Sequence, residues 1–563
     1  MKLNIKGNII RDISESAFAS LELSLAEIDL SENNLTTFPI ASLAKLRHLR
    51  SLRLAWNEMS SFPVVEKSDL VTLEYIDLNS NNFEFISEDC LKFCPSLKIL
   101  SFHFNFINNV HNRAFYSLIN LESLNLSHNR LKILSPNLFQ NNKRLKHIDL
   151  SHNHLHHIHN LFNNLPFLKN LIMEHCNIEN IFEGTFAYNK NLVRLNLAQN
   201  IISSIPSSLF EATNSILEFN ISNNFLDYVP YNTLYNFTHL ETLDITDNLL
   251  PRIEINGLEK LKKLKYLIVR KNEIKYITVR KKVEFNELIS LDVSYNRLEN
   301  LSSSIFEVFP NIQNINVSHN DIVRFDFFSS YRKFGLNLIN IDISKNPAIM
   351  WTTSNRLDNN TLISNLYELH ITSTNVTTID DTMFEFFTSL QHLYLKFNKI
   401  RRLSISPFLR LYFLESLDLS YNRILQLKMS NFRGLTKLRT LCLSNNNIES
   451  MESFAEDLSN LKLLDLSHNK LQNILNEDLI NLKELTVLYL SYNNIKYISA
   501  TAFKNLNKIV QIDLTYNKLQ TISLELLTSV ENHIQEISIK GKLVLITTYD
   551  TYDITQIQIL NLK

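Results

Sequence analysis

The chain has 563 residues, 56 Lys+Arg against 57 Asp+Glu, and a formal net charge of −1, so nothing electrostatic calls for nucleic acid or an anionic membrane as its partner. With 45% hydrophobic residues it has the apolar content to bury a core, which excludes a disordered or low-complexity chain. Its 6 glycines, set against 71 asparagines, include neither GxxxxGK[ST] nor GxGxxG, so phosphate-cradling loops are excluded as well.

In chain order, the N-terminal MKLNIKGNIIRDI lacks the apolar stretch of about 7–15 residues that a secretory signal needs. No window of about 18 apolar residues follows anywhere, and the final QIQILNLK is not a lipid-anchor signal. Between the ends one pattern, LxxLxLxxNxL, recurs throughout. Clear copies are LESLNLSHNRL (121–131), LISLDVSYNRL (288–298), LESLDLSYNRI (414–424) and LKLLDLSHNKL (461–471). Its Asn position falls at 8, 33, 57, 81, 105, 129, 153, 176, 200, 224, 248, 272, 296, 320, 346, 374, 398, 422, 446, 469, 493, 517 and 542. That makes 23 copies, stepping by 24 residues nearly everywhere; Cys176, Thr374 and Lys542 replace the Asn.

Such units are half-finished alone. LxL alternates in and out as a short strand does, and only stacking on a neighbour buries its apolar side. Leu121, Leu124, Leu126 and Leu131 are expected to fill one coil. The asparagines, among them Asn129, Asn153, Asn200, Asn296, Asn422 and Asn469, stand where the chain turns away from the strand, and their amides suit the backbone groups of two coils. Ten residues further on a Phe often appears, as at Phe115, Phe139, Phe384, Phe408 and Phe432, which predicts a second apolar spine.

These motifs resemble the leucine-rich repeat family over the whole chain. The resemblance implies an α/β-type solenoid: a single curved horseshoe over 1–563, with a parallel β-sheet on the concave face and an irregular or short helical convex side. The 24-residue step with its Phe is similar to the extracellular class. The uninterrupted LDLSYN and LDLSHN runs (417–422, 464–469) resemble chaoptin-like insect cell-adhesion proteins.

Several features interrupt or decorate the array. Cys90 and Cys94, four apart in EDCLKFC, are poorly placed for a disulfide and read as buried or free; Cys442 reads as an exposed thiol. Six histidines crowd HIDLSHNHLHHIHN (147–160), and His128, His152 and His175 hold one slot in three successive copies. Neutral imidazoles so spaced suit a shared zinc ion, and protonated ones repel; the ordinary reading is a slot that elsewhere holds His or Tyr. The segment 346–365 breaks the rhythm and predicts a loop leaving the solenoid, with Tyr331, Trp351 and Arg356 as residues to test. Both ends fall inside a repeat without a cysteine-rich cap, so a fragment lacking end caps is expected.

The residue between the two core aliphatics of the strand is Asp at 149, 244, 292, 342, 418, 465 and 513, among others, and Ser or Thr often stands two positions later. This predicts an outward acidic column on the concave face, suited to a basic protein partner; alternatively, Asp and Ser merely tie down the following turn. Sequons occur at Asn34, Asn125, Asn220, Asn236, Asn300, Asn316, Asn359 and Asn375. No GxSxG, HExxH or paired-Cys motif is present. The expectation is therefore a non-enzymatic protein-binding scaffold without a cofactor. The resemblance implies the ectodomain of an adhesion protein on the extracellular face of the plasma membrane, anchored by a segment outside this chain and making protein or homophilic contacts. The competing reading is a Toll-like or insect immune pattern-recognition ectodomain.

Overall fold

A computed structural model describes residues 1–63, 70–158, 160–210, 214–229, 231–278, 285–301, 305–325, 337–347, 349, 365–385, 387–530, 534–539 and 545–547. They form two compact units, Met1–Leu288 and Ile289–Lys563. Each unit is a stack of coils, and each coil contributes one three-residue strand to a parallel ladder. Strands run from Lys2–Asn4 to Tyr266–Ile268 in the first unit and from Ser290–Asp292 to Glu536–Ser538 in the second. The register is one-to-one: Ser123, Leu124 and Asn125 pair with His147, Ile148 and Asp149. Alternation sorts the side chains. Leu124, Ile148, Leu417 and Leu441 are buried, while their strand neighbours stand half-exposed or exposed on the other side.

The longer steps do not disturb this ladder. Ile315 pairs with Ile341 and Ile341 with Leu369, so the extra length lies outside the strands. Of the residues singled out for testing, Tyr331, Trp351 and Arg356 fall outside the described residues, as do Asn359, Lys542 and the chain end. Asn346 is fully buried in the ladder.

Across the coil from the strands the backbone is mostly turns, with short helices such as Ile40–Leu43, Ile305–Val308 and Leu524–Thr528. Sequence reading did not anticipate a second line of pairing there, made of strands two or three residues long. Phe85–Ile86 pairs with Asn109–Val110, and Gln426–Lys428 with Ser450–Glu452, both parallel. Beneath it the phenyl rings stack: Phe162, Phe186 and Phe210 at 6.0 and 5.8 Å, and Phe384, Phe408 and Phe432 at 6.0 and 6.2 Å.

The asparagine at the end of each strand staples two coils. Nδ2 of Asn422 donates to the carbonyls of Leu419 in its own coil and Leu395 in the preceding one, each at 3.0 Å, and its Oδ1 accepts the N–H of Ile400 at 3.0 Å. Asn129, Asn153, Asn200 and Asn469 do the same. Asn296 donates to Val293 at 2.9 Å. Cys176, buried in this slot, reaches only part of that pattern: its Sγ donates to the Leu150 carbonyl at 3.0 Å. A second set of asparagines was missed by sequence reading. Asn142 and Asn189, both fully buried, bridge coils on the other side by donating to Phe115 and Leu118, and to Phe162 and Leu165.

All four cysteines are free. Burial pushes the thiols of Cys90 and Cys94 far up. Cys442 corrects the expectation of an exposed thiol: it is half-buried between Asp418 and Asp465 in the ladder, and burial followed by those carboxylates pushes it up to about 12. No described helix is long and apolar enough to cross a membrane.

Candidate partner-binding face

The outward residues of the ladder form columns because every strand is in register. The third strand position carries the predicted aspartates. Asp149, Asp244, Asp292, Asp342, Asp418, Asp465 and Asp513 are half-exposed, and each turns Oδ1 back onto the backbone N–H two residues on, at 2.9 or 3.0 Å. Ser151 and Ser420 add hydroxyl bonds to the same carboxylates, at 2.7 and 2.5 Å. Tying down the turn is thus a job these groups perform, whatever else they meet.

Two details depart from the expected acidic column. The serines are not open to a partner: Ser127, Ser151, Ser294, Ser420 and Ser491 are buried, because so short a side chain is covered by the adjacent coils. The aspartates are also interleaved rather than contiguous. Arg53 stands between Asp29 and Asp77, and the second unit alternates Asp418, Cys442, Asp465, Tyr489 and Asp513. Carboxylates two strands apart are separated by about 10 Å.

The slot just before each asparagine is left-handed in every described copy, with φ from +51° to +73°. Glycine or asparagine suits that conformation, yet it is filled here by Trp56, Phe104, His128, His152, His175, Phe397, Tyr421, Tyr492 and others. The conformation lets the N–H reach the next coil: Tyr421 donates to the Ser444 carbonyl at 2.8 Å and His128 to that of Ser151 at 2.9 Å. The side chain is thrown to the surface, where Trp56, Phe104, Phe397, Tyr421 and Tyr492 are exposed. The signal was in the sequence: bulky aromatics immediately before Asn, as in SYNRI and KFNKI, repeat where a coil interior had no room for them.

The histidines belong to this slot. His128 and His152 stack at 4.0 Å with ring planes 19° apart, and His152 and His175 lie 5.1 Å apart. Face-to-face rings direct their nitrogen lone pairs in parallel planes rather than at one point, and among the described residues no three His, Cys, Asp or Glu are grouped to hold a metal ion. Of the other cluster members, His147 Nδ1 accepts from the Asn170 side-chain amide at 2.8 Å and His159 lies outside the described residues.

In the second unit three adjacent strands, Glu368–His370, His392–Tyr394 and Ser416–Asp418, gather an outward aromatic group. His392 Nε2 lies 3.0 Å from the Tyr367 hydroxyl. His370 stacks on Tyr394 at 4.4 Å and pairs with Glu368 at 3.0 Å. Lys396 sits over Phe397 and Tyr421 at 5.0 and 5.2 Å, and these rings are 4.4 Å apart. Burial raises the Tyr394 hydroxyl above its usual range, and Glu368 and Asp418 raise it further. Tyr367, Phe397 and Tyr421 remain 40%, 48% and 43% exposed, a large aromatic surface for a rigid scaffold to leave in water.

Of the sequons, Asn300 and Asn375 are exposed, whereas Asn34, Asn125, Asn220, Asn236 and Asn316 are half-buried. Asn125, Asn220 and Asn316 use Oδ1 to hold the turn after their strand.

The family described as "Leucine rich repeat" matches residues 1–59, 95–155, 119–178, 364–424, 413–471, 451–495 and 483–532. That described as "BspA type Leucine rich repeat region (6 copies)" matches 158–280 and 203–334. Among curated proteins no sequence matches the chain. Among solved structures, the plant peptide hormone receptor RGFR1 in complex with RGF2 is similar at 20% identity and a TM-score of 0.51, over 98% of this chain and 86% of that one. The Drosophila Toll–Spatzle complex is similar at 19% identity and a TM-score of 0.54, over 95% of this chain and 83% of the other. At such identities the likeness speaks to the fold. Together with family matches over more than half of the sequence, it establishes that the chain belongs to the leucine-rich repeat family.

Proposed function

We propose that the chain is a non-enzymatic binding scaffold that takes a protein partner on the outward face of its strands, as part of an extracellular cell-adhesion ectodomain. The observation that carries the reading is the aromatic group around Tyr367, Tyr394, Phe397 and Tyr421: aromatic residues are enriched at protein interfaces, and tyrosine among the few residues that carry most of their energy. Each ring is held by a strand or by an inter-coil hydrogen bond, so little order is lost on binding. Asp418, Asp465 and Asp513, with Asp342 and Asp292 before them and Asp149 and Asp244 in the first unit, supply the charge that selects basic side chains on the partner. RGFR1 and Toll, two structures similar to this chain, were solved with RGF2 and Spatzle bound, which accords with a scaffold of this fold serving a ligand.

Beads coated with the chain test it. Clustering of beads with one another or with cells is expected. The double substitution Phe397→Ser, Tyr421→Ser should reduce it by about tenfold or more, the loss of a single hot spot. Serine fills the same left-handed slot at Ser80 and Ser373, so the fold is kept. If coated beads cluster neither with themselves nor with cells, adhesion is wrong. If they bind a soluble partner instead, the receptor reading replaces it.

A further inference from the structure

In the first unit four imidazoles touch in series. His103 meets His128 edge-on at 4.8 Å, His128 stacks on His152 at 4.0 Å, and His152 meets His175 at 5.1 Å. Phe104 closes the start, 4.2 Å from His128. His128, His152 and His175 all sit at left-handed φ, between +51° and +53°, and each donates its N–H to a carbonyl of the next coil: Ser151, Glu174 and Ala198 at 2.9, 2.8 and 3.0 Å. A side chain with a Cβ holds that conformation at a cost of about 1–2 kcal/mol, which ring stacking offsets. The same turn forms elsewhere with Ser80, Gln199 or Lys271 in the slot, so what is particular to these coils is the ring contact itself, which adjacent protonated imidazoles would oppose by repulsion.

We propose that this imidazole column is an acid-sensitive joint, closed when its rings are neutral and loosened when neighbouring rings are protonated together. The electrostatic surroundings agree. Burial lowers the proton affinity of His128, and His152, His103 and His175 lower it further against the opposing pull of Asp149. Burial also lowers that of His103, against Asp149 and Asp77, while Ser127 holds its Nδ1 at 2.6 Å. The remaining nearby carboxylate, Glu174, is engaged by Asn196 and Gln199 at 3.0 and 2.8 Å. Because His103 and His128 take up protons less readily in the closed column than in an opened one, the stability they contribute is present above the ordinary histidine range near pH 6.5 and is lost as pH falls through their lowered range.

Hydrogen–deuterium exchange of the full chain at pH 7.5 and 5.0, corrected for the intrinsic pH dependence, tests this. Peptides covering 126–129, 150–153 and 173–176 should lose protection on the order of tenfold at pH 5.0. The coils of Phe397 and Tyr421, whose rings lie 4.4 Å apart with Ser373 and Asn445 in the flanking slots, should not change. In the variant His128→Tyr, His152→Tyr the rings remain but do not titrate, and tyrosine is native to the slot at Tyr295 and Tyr421; its protection should be the same at both pH values. A second variant, His152→Gln, which copies the native Gln199 of the same slot, should be less protected at pH 7.5 and should respond less to acid. Uniform loss of protection along the chain at pH 5.0, or an acid response retained by the tyrosine variant, would overturn the proposal.

Discussion

Asn422 has no exposed work to do, yet one amide holds three backbone groups of two coils. Buried backbone groups that lose their partner cost about 1–3 kcal/mol each, and water has little access here. Asn422→Ala is therefore expected to destabilise the second unit by roughly 3 kcal/mol, read as lost exchange protection at Ile400, Leu419 and Ile424. A loss below about 1 kcal/mol would mean that the ladder is held by apolar packing alone. Cys176 and Thr374 show the natural softer version. Thr374 turns its hydroxyl to the Ile371 carbonyl at 3.4 Å and to Asn398 Oδ1 at 3.2 Å, and its N–H donates to the same Oδ1 at 2.9 Å. At the residue scale sequence reading identified the staple from its chemistry but missed its neighbour. An amide advertises its hydrogen bonds, whereas a left-handed backbone is advertised only by glycine or asparagine, and here tyrosine, phenylalanine and histidine occupy it.

At the scale of the element, strands and turns follow from the pattern because alternation and coil length leave no other arrangement that buries every leucine. The inward series Leu417, Leu441, Leu464 and Leu488 was legible for that reason. The opposite wall was less so, because its strands are only two or three residues long and carry no alternation to read. The partner-binding face was legible only in part: the columns are set by period, but burial of the serine column and the interleaving of aspartate with arginine, cysteine and tyrosine depend on side-chain folding and on neighbours 24 residues away. The short 3₁₀ turn Asn476–Asp478 makes the point with a charge. Asp478 is buried, accepts the N–H of Leu475 at 2.7 Å, and burial raises its carboxyl to about 6, with Glu477 adding to the rise. A carboxyl that keeps its proton more tightly when folded stabilises the fold at low pH and loses that contribution as pH rises from about 4 through about 6. Asp478→Asn retains an acceptor for Leu475 without the charge. It should melt above the parent at pH 7.5, by a margin of order 1 kcal/mol, and match it at pH 4. An equal margin at both pH values would remove burial of the charge as the cause.

Over a whole unit, the architecture makes stability a matter of neighbours. Each coil touches the one before and the one after, through the strand register, the asparagine staple and the phenyl spine, so damage should spread along the stack and fade with distance. Leu419 and Ser420 are adjacent, both buried, and test this against each other. Leu419→Asp places an unpaired carboxylate among Leu395, Leu443 and their neighbours, a cost of several kcal/mol that local unfolding relieves. Exchange protection should collapse in the coils of Asn398, Asn422 and Asn446 and recover toward the strand Gln511–Asp513. Ser420→Ala removes only the hydroxyl bond to Asp418, worth about 1 kcal/mol, while the Ser420 N–H keeps its bond to the same carboxylate at 2.9 Å. Its circular dichroism should be that of the parent. If both substitutions melt the unit alike, the division of this strand into an apolar inside and a hydrogen-bonded rim is wrong. If Leu419→Asp instead abolishes protection uniformly from Ser290 to Ser538, the unit folds as one cooperative body and not as a chain of leaning coils.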